Sequence, residues 1–253
     1  MTLDDALTEL QVIRSRLDGL LDEEGRRAVL NAISDLEAQR PRPKPGKRHK
    51  KKPPPDWHLV IPPGNPLRFV PTEASQDLRY SFSIDVSCKI DKPHDGLIVG
   101  DHSIAVRVWT SDATLYFRDA FDAERILRNV DASGGRRVML RFHFDHANVG
   151  QPGPKHHLQI GGIQHGPEFC WLPENVRVPR FCHHPVSLLM VCEFVVRTFY
   201  PAAHAAVENE PAWSGAIAKA QITYLPPFYE LQGMTVNAEG VRKSLLGKLW
   251  NAG

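Results

Sequence analysis

The stretch RYSFSIDVSCKI, Arg79–Ile90, decides the fold class. Tyr80, Phe82, Ile84, Val86, Cys88 and Ile90 alternate with Arg79, Ser81, Ser83, Asp85, Ser87 and Lys89. A period of two sends the apolar side chains to one face and the polar ones to the other, which is the pattern of a strand with one buried side. KPHDG turns the chain, and SIAVRVWT and TLYFRDA repeat the alternation. After DASGG, RRVMLRFHFDH is a further strand. Strands joined by short turns predict an antiparallel meander with one wet face.

On either side of the meander the period changes. PVSLLMVCEFVVRTFYP is apolar nearly all round and predicts a central buried helix that starts near Pro185 and stops before Pro201. AWSGAIAKAQITYL puts Trp213, Ile217, Ala220 and Tyr224 on one helical stripe, and VNAEGVRKSLLGKLW does the same for Val241, Leu245 and Leu249. At the other end, Leu3, Ala6, Leu10, Ile13, Leu17 and Leu20 form an a/d seam behind an N-capping Thr2. The seam breaks at LLDEEGRR, and Val29, Ile33 and Leu36 resume out of phase, as in a helical hairpin or a kinked helix. The predicted fold class is α+β: an antiparallel β-meander with C-terminal helices packed on one face, preceded by an N-terminal helical hairpin and a basic Pro-rich linker. Three pieces follow: 1–39 the hairpin or short coiled coil, 40–66 the linker, and 67–253 the α+β globular domain.

Net charge conceals an asymmetry. RPRPKPGKRHKKK, residues 40–52, holds eight Lys/Arg and no acid, and the rest of the chain carries 23 Lys/Arg against 29 Asp/Glu. Arg42, Lys44, Lys47, Arg48, Lys50, Lys51 and Lys52 on a proline-stiffened segment suit salt-sensitive contact with nucleic acid, or a self-repelling spacer. The hairpin seam needs cover, from the same chain, a second copy or a partner protein. No apolar run is long enough to span a membrane, and the acidic N-terminus is unlike a secretory signal. The four cysteines form no CxxC pair. A cytoplasmic protein with reduced thiols is expected.

The chemistry concentrates in RFHFDHANVGQPGPKHHLQIGG, Arg141–Gly162. Strand phase places Arg141, His143 and Asp145 opposite in sense to Phe142 and Phe144, and His157 and Gln159 opposite to Leu158 and Ile160. If the intervening loop closes a hairpin, one register sets Asp145 against His157 and His143 against Gln159. His143, Asp145 and His157 then form a candidate divalent-metal or acid–base set, with His146 and His156 at its rim. A solvated face with a His–Asp hydrogen bond, or a binding surface, fits the same residues. Arg177, Arg180, His183 and His184 surround the start of the apolar helix, whose N-terminus suits an anion; they also fit a simple crossover and cap. Cys182, at that same helix end, is a candidate nucleophile lacking a definite base. No GxGxxG, GxxxxGKS/T or GxSxG motif is present, so no cofactor is expected beyond a possible metal ion.

LRFHFDH, HHLQIGG and the run from Arg177 through HHPVSLLMVCEFVVRTFYP resemble a pattern in uncharacterised prokaryotic proteins of unknown function, over Arg137 to Pro201. The resemblance implies a bacterial protein of a multi-component system, of a defence or mobile-element kind, and implies no activity. The order helix, meander, Pro-rich crossover, helices is also similar to that of ubiquitin-conjugating folds. That similarity implies Cys170 or Cys182 as a thioester cysteine, although the HPN tripeptide is absent and HHP stands at His183–Pro185. Three functions are therefore expected in order: a non-enzymatic accessory or adaptor subunit touching nucleic acid, a metal-dependent hydrolase or nuclease, and a ubiquitin-conjugating-like module.

Overall fold

A computed structural model describes residues 1–40, 56–72, 82–91, 93–94, 97–98, 102–110, 137–146, 153–154, 156–161, 180–236 and 250–251. Among these, seven strands form the main sheet: β1 (His58–Ile61), β2 (Leu67–Arg68), β3 (Ser83–Asp91), β4 (His102–Thr110), β5 (Arg137–His146), β6 (His156–Ile160) and β7 (Arg180–Cys182). Their order is β1-β3-β4-β5-β6-β7, every pair antiparallel, with β2 beside β1 on the same edge of β3. The meander expected from the alternating period is present among the described strands, TLYFRDA lying outside the described residues, and the chain is α+β.

Ile84, Val86, Cys88 and Ile90 of β3, with Ile104, Val106 and Val108 of β4, make one buried apolar face. Against it lies α3 (Leu188–Phe199), which buries Leu188, Leu189, Val191, Cys192, Val195 and Val196. Phe194 of this helix meets Phe142 and Phe144 of β5 edge-on, with ring centroids 5.3 and 6.1 Å apart. The helix starts later than Pro185 suggests, because Ser187 caps it: its hydroxyl accepts the Met190 N–H at 3.3 Å. Pro201 then begins a short helix, α4 (Pro201–Val207), followed by α5 (Pro211–Val236). Trp213, Ala220 and Tyr224 of the predicted stripe are buried and Ile217 is partly so. Glu193 ties the three helices together, accepting from Trp213 Nε1 and from His204 Nε2, each at 2.7 Å. The stripe of Val241, Leu245 and Leu249 lies outside the described residues.

The N-terminal segment is a hairpin of α1 (Leu3–Leu17) and α2 (Glu23–Ala38). Thr2 and Asp5 form a capping box, and Asp22 caps α2. Leu3, Ala6, Leu10, Ile13 and Leu17 are buried, and so are Leu7 and Glu9, which widens the seam beyond a/d positions. The width has a cause: α1 packs on α2, α3 and α5 at once. Two backbone bonds stitch the turn to the β2 segment, Asp22 N–H to Arg68 O (3.1 Å) and Val70 N–H to Leu20 O (2.8 Å), and a Leu21–Phe69 bridge accompanies them. Burying a leucine or isoleucine side chain is worth roughly 1.5–3 kcal/mol. Leu10, Ile13 and Leu17 are fully enclosed by this chain's own core, so that stripe is not offered to a partner. The hairpin belongs to the same core as the sheet and α3.

The stretch expected as a linker is shorter than its prolines suggest. Its C-terminal part forms β1, and Trp57 is buried. The two ends meet: Gln39 Nε2 donates to His58 O at 3.0 Å, and His58 N–H donates to Gln39 Oε1 at 2.9 Å. The described residues that flank 41–55 are thus hydrogen-bonded to each other.

Glycine substitutions test the docking of the hairpin. A Cβ at Gly25 would lie 2.2 Å from Arg68 O, a backbone atom that cannot swing aside, whereas one at Gly19 meets nothing within 4 Å. Gly25→Ala is expected to lower stability by at least about 1–3 kcal/mol, and Gly19→Ala to stay within about 1 kcal/mol of wild type, as read by urea unfolding of the two variants.

Candidate functional site

The face of the sheet turned away from α3 carries the chemistry, and it is not wet. Asp85, Ser87, Arg107, Arg141 and His157 on it are all buried. Pairing arranges them in rows across the strands. One row runs Arg68–Asp85–Arg107–Arg141 from β2 to β5. A second runs Ser87–Ala105–His143–Gln159–Arg180, and a third Lys89–Ser103–Asp145–His157–Cys182, both from β3 to β7. Buried charges persist only when paired or hydrogen-bonded. Arg68 meets Asp85 at 3.3 Å and also pairs with Glu24 of α2; Arg107 Nη1 donates to Ser87 Oγ at 3.1 Å.

The register expected for the histidine hairpin is the one found: Asp145 opposes His157, and His143 opposes Gln159. His143 Nδ1 lies 3.4 Å from Asp145 Oδ2. Burial pushes the Asp145 carboxyl up, but the hydrogen bond and charge of His143, the Ser103 hydroxyl and the charge of His157 outweigh it, and the carboxyl ends below its ordinary range. Burial pulls His143 down, with the Arg141 charge helping and Asp145 opposing. A divalent metal was one candidate for these three residues, beside a polar face with a His–Asp hydrogen bond. Among the described residues, however, no group of three His, Cys, Asp or Glu side chains is placed to hold one. The reason is electrostatic as well as geometric: the Arg141 guanidinium hydrogen-bonds the His143 ring, and Arg107 stands beside Arg141 on the next strand. A divalent cation would compete with fixed positive charge there.

His146 and His156 do not join this set. They follow and precede the polar-face residues by one position, so they project to the α3 side, where their rings face each other at 4.8 Å. The same side holds His102, which burial drives down to about 4 and whose Nε2–H donates to Val186 O at 2.9 Å.

The expected anion site is divided by the fold. Arg177 lies outside the described residues. Arg180 opposes Gln159 on the polar face, whereas His183 stacks edge-on against Phe144 on the α3 side. His183 and His184 donate from Nδ1 to the carbonyls of His184 (2.6 Å) and Pro185 (3.0 Å). The positive end of α3 is already occupied. Glu9 of α1, 180 residues away in sequence, accepts the Leu189 N–H at 3.4 Å beside Ser187. This internal carboxyl group takes the place that an external anion would fill. Nothing in the local sequence around Glu9 marks it; only its place one turn from Asp5 on the buried side of α1 does.

Of the basic residues, Arg40 pairs with Asp4 at 2.7 Å. Arg42, Lys44, Lys47, Arg48, Lys50, Lys51 and Lys52 lie outside the described residues, between the joined ends at Gln39 and His58. Cys182 is exposed at the end of the third row, and Cys170 lies outside the described residues. No described helix is long and apolar enough to cross a membrane. Compared with known proteins, the chain matches no family model, no curated sequence and no solved structure. What fold and face define together is an α+β protein with a buried polar sheet face.

Burial of Glu9 makes the stability of the fold depend on pH. Burial raises its carboxyl from 4.5 to about 7, against the hydrogen bonds from Ser187 and Leu189. A carboxyl raised in the folded state holds its proton more tightly there than when unfolded. Its contribution to stability is therefore complete below pH 4.5 and is lost as pH rises to about 7. Glu9→Gln keeps an acceptor for Leu189 and has no proton to lose. Relative to wild type, the variant should gain stability progressively between those two pH values, by up to about 3 kcal/mol, measured by denaturant titration at pH 5 and pH 8. A difference that does not change with pH would place Glu9 in an ordinary solvated state.

Proposed function

We propose that this chain is an accessory protein that contacts nucleic acid through residues 40–52. The observation that carries the reading is the joining of Gln39 to His58 around a segment with eight Lys/Arg and no acid. Excluding that segment, acids outnumber bases in the chain, 29 to 23, so positive charge is gathered at one place on an acidic body. Anchoring both ends supports a fixed point of attachment rather than a swinging tether between domains. Concentrated Lys/Arg displaces condensed counterions from a phosphate backbone, which yields sequence-independent and salt-sensitive binding. The acidic remainder repels the same backbone and confines the contact to the segment. A role as accessory to another protein draws less from the N-terminal helices, since their seam is enclosed in the core.

Binding of the full chain to duplex and to single-stranded oligonucleotides, measured across a salt series, tests this. Replacing Lys47, Arg48, Lys50, Lys51 and Lys52 by Gln should reduce the log–log salt slope by roughly 3.5–4.5 units, with unfolding stability unchanged. Absence of binding at low salt, or an unaltered slope in the variant, would retire the reading.

A further inference from the structure

Going beyond nucleic-acid contact, we propose that Phe228, seated on the His183–His184 pair, is an acid-released latch that holds the C-terminal end of α5, with its hinge at Pro226–Pro227. Ring geometry carries this. A file of rings runs from the sheet to α5, with centroids 5.3 Å apart from Phe144 to His183, 4.2 Å from His183 to His184 and 6.3 Å from His184 to Phe228. Tyr229 ends the file, 5.4 Å from Phe228, and is itself exposed. Two titratable rings therefore stand between the sheet and the last turns of a helix.

The hinge lies in the backbone. Before it, α5 is fixed by Trp213, Ala220 and Tyr224, all buried. Pro226 and Pro227 have no N–H, so the carbonyls of Ile222 and Thr223 cannot receive the helical bonds those two positions normally donate. Sharp bends of helices fall at such places. Phe228 is the first residue past this weak point, and it is buried against His184.

Neutral rings suit the latch and charged rings do not. His183 and His184 each donate from Nδ1 to a backbone carbonyl, so a further proton goes to Nε2 and makes the ring a cation. Two half-buried cations would then face each other across one ring stack. Burial lowers His183 below the ordinary imidazole range, and the charge of His184 adds to this against the bond to the His184 carbonyl. Facing the pair from the sheet are His102 of β4, His146 of β5 and His156 of β6, which bring no negative charge to hold a second proton. Cys182 precedes the pair on β7, and Tyr224 and Glu230 flank Phe228 on α5. Glu9 of α1 works in the opposite sense, since acid restores its proton and tightens the α1–α3 contact. A histidine lowered in the closed state binds its proton more tightly once released. The latch is therefore complete above about pH 6.5 and is lost as pH falls below that value.

Hydrogen–deuterium exchange of the full-length chain tests the latch, read by peptide mass spectrometry at roughly pH 7.5 and roughly pH 5.5, either side of the imidazole range, with times scaled to equal intrinsic exchange. Peptides from Phe228 to Val236 should exchange about 10-fold faster at the lower pH for one released imidazole and about 100-fold faster for two. Peptides of α1 should keep their protection. His183→Phe combined with His184→Phe keeps the rings and removes the protons, so the Phe228–Val236 peptides should then exchange equally at the two pH values. Equal exchange in the wild-type chain, a parallel acceleration of α1, or an acceleration that survives in the double variant overturns the proposal. If the double variant does not fold, the wild-type contrast between α5 and α1 decides.

Discussion

A helix that is apolar on nearly every side has to be covered on nearly every side, and α3 imposes that condition on the rest of the chain. The sheet covers one flank through β3 and through Phe142 and Phe144 of β5. Helix α5 covers another, held at Glu193 by Trp213. The remaining side falls to α1, which is why the N-terminal hairpin lies within the domain rather than beside it. The same docking closes the helix end, since Glu9 arrives at Leu189 only because α1 lies along α3. One packing requirement thus explains both the loss of a partner-binding seam and the filling of an anion site.

The opposite face of the sheet is governed by a different balance. Its rows hold Asp85, Arg107 and Arg141 out of water, and each such group costs several kcal/mol unless neighbours compensate. Cross-strand pairing supplies the compensation locally, as at Arg68–Asp85 and Arg107–Ser87. Because opposed residues are fixed by register, the face cannot relax one charge without disturbing the next. Positive charge gathers in the Arg107–Arg141 row, with His143 in the next row and Asp145, its partner at 3.4 Å, in the one beyond. This arrangement places the guanidinium pair on one side of His143 and the Asp145 carboxylate on the other. Two chemically distinct ends of one surface result.

Much of the architecture was legible because it rests on local period. Alternation in Ser83–Asp91 and Arg137–His146 marks the strands, and the hairpin register follows from which residues must share the polar face. The helical hairpin and its break were equally readable, since Thr2, Asp5 and the phase change at residues 18–22 are sequence features with local causes. The short helix α4 and the later start of α3 escaped because apolar runs show no boundary unless the cap, here Ser187, is weighed above the nearby proline. For the site, strand phase gave His143, Asp145 and His157 their common face, and strict alternation also puts His146 on the other one.

Local pattern by itself therefore determined the elements, the sheet register within the histidine hairpin and the gathering of basic charge in residues 40–52. Tertiary structure alone decided what covers each face. Whether a leucine seam meets its own core or a partner depends on where a helix of distant sequence comes to lie, and α3 is 180 residues from Glu9. Whether a polar strand face meets water depends on burial that no period encodes, as at Arg107 and His157. The alignment of Cys182 with His157 and Asp145 needs β7 to pair with β6 across a long connection. Periodicity is a property of a few consecutive residues, whereas coverage and cross-strand neighbours are properties of the closed chain.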